Sequence, residues 1–381
     1  MSKRYIANLD GLRFLAATTV ACSHLEVVKS YATDYSFDNR FIKNAPQISV
    51  TFFFVLSGFL IMWWFLEETK GNVQKINVRR FYINRISRTW PLYYLVLAIS
   101  VLISVFDGTL FEGDQALKRF AFYLFFLPNS ADIFHGANVF MGPTWSLAVE
   151  EFFYLLFPLI LIRISQQKLL KRLLQLAAAT LVFSLLFNPI FISLAAGNEI
   201  QLPGVVKYLS VIADRYRFYS FFLGAAGAYL VFAHVRLPGF FETMKAKRNM
   251  QLLALLLLLL FIFGITFSFA TQQIYSVLFA LFLYLMTSAT YRSKLLNIGF
   301  IRTGGKISYG IYMLHMLVVI RLVNPLNFLI PTESKFLNVL VSWMLMLGLT
   351  FVISYISFRY FEMPLRNRIR RSATISVKNE S

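Results

Sequence analysis

Leu9 to Leu25 read LDGLRFLAATTVACSHL. The segment is too apolar for an ordinary surface helix, yet it carries Asp10, Arg13 and His24. Ionisable side chains are unfavourable inside a membrane-spanning helix, so each marks a candidate functional position. Eleven residues separate Arg13 from His24. At 1.5 Å and 100° per residue they stand roughly 16 Å apart along the axis and nearly on one face. That face would hold Arg13 near one end to grip an anionic donor, and His24 toward the other for proton chemistry on what the donor carries. The plainer alternative is an arginine lying along apolar surface and a histidine hydrogen-bonded inside a bundle.

The apolar character extends along the whole chain. Of 381 residues, 58% are hydrophobic and 41 are Phe, with a mean hydropathy of +0.63. This composition indicates a polytopic membrane protein, a bundle of α-helices. The net charge of +19 raises nucleic-acid binding, but the basic residues lie in short runs between apolar segments, as membrane topology requires. Nucleic acid is therefore excluded as a partner. With Cys22 as the single cysteine, no intramolecular disulfide or multi-cysteine metal site can form. The four histidines are too dispersed to suggest a metal. Lys3 and Arg4 before an apolar run resemble a signal peptide. Arg13 within the run, and the lack of a small-residue cleavage site, make it a retained span instead.

Ten transmembrane helices are expected, near 9–29, 46–66, 89–107, 145–163, 173–195, 216–234, 250–269, 273–290, 307–323 and 337–360. The run FAFYLFFL, 120–127, is too short to cross and reads as an interfacial or re-entrant piece. With the N-terminus in the cytoplasm, the inner segments carry 25 Lys and Arg against 9 outside. That bias orients the chain with both termini cytoplasmic. Residues 1–365 form one integral membrane domain. Residues 366–381 form a basic cytoplasmic tail, read as a disordered anchor at the lipid surface.

With this topology, Arg79, Arg80, Arg85 and Arg88 share the inner surface with Arg13. Spacing of three puts Arg85 and Arg88 on one helix face. Forked guanidinium groups suit phosphate, and Tyr82, Trp90 and Tyr93 beside them suit stacking; plain topogenic charge is the alternative. Toward the outside, PTWSLAVEEFFYLLFP opens a span. It places Glu150 in a low-dielectric interior at a depth near His24, where a carboxylate needs a partner. A Glu150–His24 pair would orient the imidazole, and a structural ion pair is the other reading. Glu151 points about 100° away, toward a helix or loop contact. Ser57 and Gly58 give a small face suited to close packing. Tyr309 falls near the inner end of a later span. His315 falls at mid-depth, lining a cavity or satisfied by a neighbour.

Six stretches in order resemble the acyltransferase-3 family of integral membrane O-acyltransferases. They are LDGLRFLAATTVACSH (Leu9–His24), FFVLSGFLI (Phe53–Ile61), RRFYINRISRTWPLYY (Arg79–Tyr94), TWSLAVEEFFYLLFP (Thr144–Pro158), ISYGIYMLH (Ile307–His315) and FEMPLR (Phe361–Arg366). The resemblance implies transfer of an acyl group, usually acetyl, from cytoplasmic acetyl-CoA to a hydroxyl of a glycan or lipid-linked saccharide on the outer side. It implies His24 and Glu150 as catalytic, and Arg13, Arg85 and Arg88 as donor-binding. Tyr309, His315 and Trp145 are the candidate substrate-binding side chains. No tightly bound cofactor and no metal are expected, membrane lipids surround the protein, and the location is the bacterial inner (cytoplasmic) membrane. One departure stands out: where the family usually carries Gly-Val-Asp, this chain has Ser49, Val50 and Thr51. The fused extracellular hydrolase-like domain of some members has no counterpart in these residues, so transfer would be finished here or by a separate protein. The rival reading is a secondary transporter or flippase of a glycolipid or other anionic substrate, which would need no acyl donor.

Overall fold

The computed structural model describes residues 6, 8–32, 36–37, 39–108, 114–136, 138–197, 211–234, 247–267, 270–288, 292–323 and 334–379, and among these there is no β-strand. Helices are what such a sequence must form, because lipid offers no partner to a backbone N–H or C=O. Three helix starts are written in side chains. The Asn39 side chain accepts from the Ile42 N–H and opens α2 (Arg40–Glu68). Asn77 accepts from the Arg80 N–H and opens α3 (Val78–Phe106). Ser334 accepts from the Leu337 N–H and opens α13 (Lys335–Ser357). Each satisfies one of the amides that a helix N-terminus leaves unpaired.

Other helices are α1 (Leu9–Ala32), α4 (Asp114–Leu124), α5 (Pro128–His135), α6 (Thr144–Leu161), α7 (Leu169–Gly197), α8 (Phe218–Phe232), α9 (Lys247–Ile262), α10 (Thr271–Ser288), α11 (Gly299–Lys306), α12 (Ser308–Val318) and α14 (Met363–Asn379), besides a few shorter helical stretches. Among the described residues, five stretches are long and apolar enough to cross a membrane: α2, α3, α6, Gln166–Phe187 and Lys335–Ala373. Counting the bent pair of α11 with the Ser308–Val323 stretch as one span makes six. Length and apolarity among the described residues therefore account for five or six of the expected ten. The first expected span, α1, carries Asp10, Arg13, Glu26 and Lys29, while α8 and α9 are only 15 and 16 residues long. The chain is nonetheless a multi-pass membrane protein.

The centre of the bundle is α2, with 78% of its apolar window buried, against 22% for the Lys335–Ala373 stretch. Its small face is used for backbone contact. A Cβ on Gly58 would lie 2.0 Å from the Phe221 carbonyl oxygen of α8, so only glycine permits this approach. The span expected over 307–323 is the Ser308–Val323 stretch, and a 75° bend at Ile307 sets it off from α11. The bend lets α11 lie against α1, with Gly305 on the Asp10 backbone, while α12 runs on beside α1.

Two more expectations change. The 120–127 run, expected as one interfacial or re-entrant piece, is divided between the end of one helix and the turn into the next. Its first part ends α4, Phe126 turns with φ +57°, and Pro128 starts α5. The Phe126 ring stacks 4.0 Å from Tyr93, so this helical hairpin is anchored by aromatics on α3. The tail, expected to be disordered, is helical as far as Asn379: it continues from α13, through a short π-helical stretch, as α14 packed on α3.

Candidate active site

The N-terminal half of α1 meets α3, α12 and α14 around three adjoining cavities, of about 330, 200 and 120 Å³. Arg13 and Arg88 line all three, and Arg85 lines the largest and the smallest. The structure thus gathers the three arginines that spacing and topology had put at one depth. Their side chains are held without being neutralised. Arg13 pairs loosely with Asp10 at 3.4 Å. Arg85 lies over the rings of Phe81 and Tyr154, 5.5 and 4.9 Å from their centroids. Such cation–π contacts orient a guanidinium while leaving its N–H donors for a ligand. Among the described residues, six cations line the cavities against four acids: Asp10, Glu67, Glu150 and Glu362. An anionic ligand completes such a site.

Glu150 belongs to this basin and not to His24. It lines the smallest cavity and accepts from Tyr154 Oη at 2.8 Å, and Tyr154 lies 2.7 Å from Ser57 Oγ. Because Tyr154 spends its only proton on the carboxylate, Ser57 is the donor in the second bond. The expected Glu150–His24 pair is not formed. Equal depth on two helices does not make two side chains face each other, and α6 turns Glu150 toward α2. Glu151 points to α3, where it accepts from Thr89 Oγ1 at 2.8 Å and Trp90 Nε1 at 3.4 Å.

The partner of His24 is His315. Their rings stack at 5.1 Å with 16° between planes, and His24 Nδ1 lies 2.8 Å from His315 Nε2. On the far side, His315 Nδ1 faces the carbonyl oxygens of Tyr312 at 2.8 Å and Ile311 at 3.3 Å. A carbonyl can only accept, so Nδ1 of His315 carries the proton. With both rings neutral, His315 Nε2 is then an acceptor and His24 Nδ1–H donates to it. That leaves the His24 Nε2 lone pair unused, the tautomer a general base requires. His315 is fully buried and His24 is half-buried.

The other expected substrate-binding residues fall in different places. Tyr309 lines two of the cavities and donates to the Thr89 carbonyl oxygen at 2.6 Å. Trp145 lines none of the three. It lies under Arg215 and Arg217, 5.4 and 5.9 Å from its ring. Arg217 is buried and donates to Thr51 Oγ1 at 3.0 Å and Gln47 Oε1 at 2.8 Å. A neutral hydroxyl thus occupies the position where the family usually has an acid. Beyond His24, Lys29 is buried with Glu26, and Trp343 Nε1 donates to Glu26 at 2.8 Å. This knot fixes the C-terminal half of α1 against α13.

None of the three cavities is lined by His24 or His315. The smallest ends at Phe53 and Tyr312, whose rings are 6.1 Å apart, and the Tyr312 ring is 6.0 Å from that of His315. Tyr312 Oη is held by Ser146 Oγ at 2.7 Å and the Pro143 carbonyl oxygen at 3.0 Å. What separates the basin from the histidines is therefore side chains on α2 and α12. Sequence reasoning missed Tyr312 and Tyr154, which look like ordinary aromatic core. It also missed Arg366 and Arg370, whose i, i+4 spacing in the tail was the available signal.

A helical membrane bundle in which one helix carries an arginine of a basic basin and a histidine paired across to a second helix is the setting of the site. The chain belongs to the acyltransferase-3 family, whose model, described as an acyltransferase domain, matches residues 6–359. It is 29% identical over 384 residues to a peptidoglycan O-acetyltransferase of Listeria monocytogenes, covering 96% of this chain and 56% of that protein. A putative peptidoglycan O-acetyltransferase of Bacillus subtilis is 28% identical over 398 residues, covering 97% and 56%. An O-acetyltransferase of Staphylococcus aureus is 30% identical over 169 residues, covering 42% and 25%. The chain thus spans a little over half the length of the first two relatives. No solved structure matches it.

Proposed function

We propose that the protein is a membrane O-acetyltransferase that takes acetyl from acetyl-CoA on the cytoplasmic face and delivers it to a hydroxyl of a cell-envelope glycan outside. In this reading the chain crosses the bacterial cytoplasmic membrane ten times with both termini inside. The 25 to 9 distribution of Lys and Arg supports that orientation. The observation that carries the proposal is that one helix, α1, lines an arginine basin with Arg13 and presents His24 to His315 about three turns further on. The names of the two long relatives favour peptidoglycan as the acceptor class.

The phosphates of the donor bind Arg13, Arg85 and Arg88, and its thioester arm threads toward His24 past Phe53 and Tyr312. Passage needs those rings to separate. His24 Nε2 takes the proton of the acceptor hydroxyl as the oxygen attacks the thioester carbonyl. The tetrahedral intermediate expels the CoA thiolate, which takes the proton back from the imidazolium. His315 holds His24 in the required tautomer and accepts from Nδ1–H throughout. Glu150, through Tyr154 and Ser57, shapes the basin.

The test is the purified full-length protein with acetyl-CoA and a peptidoglycan fragment. Free CoA and O-acetylated product should form together, and His24→Ala should give neither. Transport of a glycolipid with no consumption of acetyl-CoA would replace this reading with the flippase.

A further inference from the structure

The helix α14 brings two more arginines to the basin. Arg366 lines the two larger cavities and Arg370 the largest. Being four residues apart, the two guanidinium groups sit on one face of α14, and that face is turned toward Arg13 and Arg88 across the cavity. Like charges gathered this closely repel unless an anion lies between them. Arg366 Nε is buried and finds no hydrogen-bond partner among the described residues, which is unfavourable for a charged donor unless a ligand supplies the acceptor. The largest cavity also has an aromatic wall, Trp63, Trp64 and Phe81, beside the arginines. Phosphate-binding donors next to aromatic rings that line the same cavity suit a phosphorylated nucleoside better than a bare anion.

We propose that α14 is the second jaw of a two-part phosphate site. Arg366 and Arg370 hold the phosphomonoester on the nucleoside end of the donor, while Arg13, Arg85 and Arg88 hold the diphosphate nearer the thioester. This rests on the acetyl-CoA reading above and assigns the donor's orientation, nucleoside toward α14 and thioester toward α12. The same phosphomonoester chemistry could come from an anionic lipid headgroup, so the test separates the two sources.

Full-length protein in nanodiscs of zwitterionic lipid is titrated with CoA and with dephospho-CoA, which lacks the phosphomonoester. Wild type should bind CoA at least tenfold more tightly. Arg366→Gln with Arg370→Gln should bind the two ligands equally, having lost tenfold or more for CoA. Arg366→Lys with Arg370→Lys should keep part of the preference, and a wild-type elution profile certifies folding. Retention of the full preference by the glutamine variant overturns the proposal alone. Failure of wild type to bind either ligand overturns the acetyl-CoA reading and this proposal with it. In nanodiscs containing anionic lipid, loss of lipid dependence in the glutamine variant with the CoA preference intact would assign the arginines to a headgroup and overturn the donor site.

Discussion

The two halves of α1 are built on opposite plans. The first half, around Arg13, faces three cavities and leaves its guanidinium only partly neutralised by Asp10. The second half, around His24, is packed and its ionisable side chains are paired: His24 on His315, Glu26 on Lys29 and Trp343. A site that captures a diffusible anion needs open space and spare donors. A site that moves a proton needs one lone pair in a fixed direction, and stray water or a mobile ring would spoil it. The difference teaches that binding and chemistry are divided along one helix, and mutations at each end should have different signatures.

The largest effect should come from His24→Ala. General-base catalysis is worth about 10²–10⁴-fold, so turnover measured as free CoA should fall by that range while CoA binding stays near wild type. Loss of binding in step with turnover would break the division. Arg13→Ala should do the reverse, since a hydrogen bond to a charged group contributes about 1.5–3 kcal/mol. The KM for donor should rise roughly 10- to 100-fold, with kcat at saturation changing far less. His315→Ala should cost about tenfold in kcat by freeing the His24 ring. His315→Gln, whose amide oxygen can still accept from Nδ1–H, should recover part of that loss. Equal losses in both variants would make His315 a packing residue only. The smallest effect is expected for Glu150→Gln, which keeps an acceptor for Tyr154. Steady-state kinetics should show a change within about threefold, and a His24-sized loss would return Glu150 to the reacting groups.

Legibility differed by region. Arg13, Arg85 and Arg88 could be brought to one depth from apolar periodicity and the sign of the loops, because both are local properties of the chain. The Glu150–His24 pair used the same logic and was not formed, because depth says nothing of rotation about a helix axis. Trp145 has the rings-and-cations environment expected of a binding residue, but the cations are the protein's own Arg215 and Arg217. The tail was misread since a basic, polar stretch has no core of its own, and its order as α14 comes from packing against α3.

The sequence by itself determined an all-helical membrane bundle, family membership through six ordered motifs, and the placing of a cation and an imidazole on one face of α1. Those follow from helix periodicity and composition, which act within a few turns. The tertiary structure alone decided that His24 meets His315, 291 residues away, that Glu150 turns into the arginine basin, and that α14 closes its side. The physical reason is that contacts between helices depend on their relative rotation and on a 75° bend, which are set by close packing of the whole bundle.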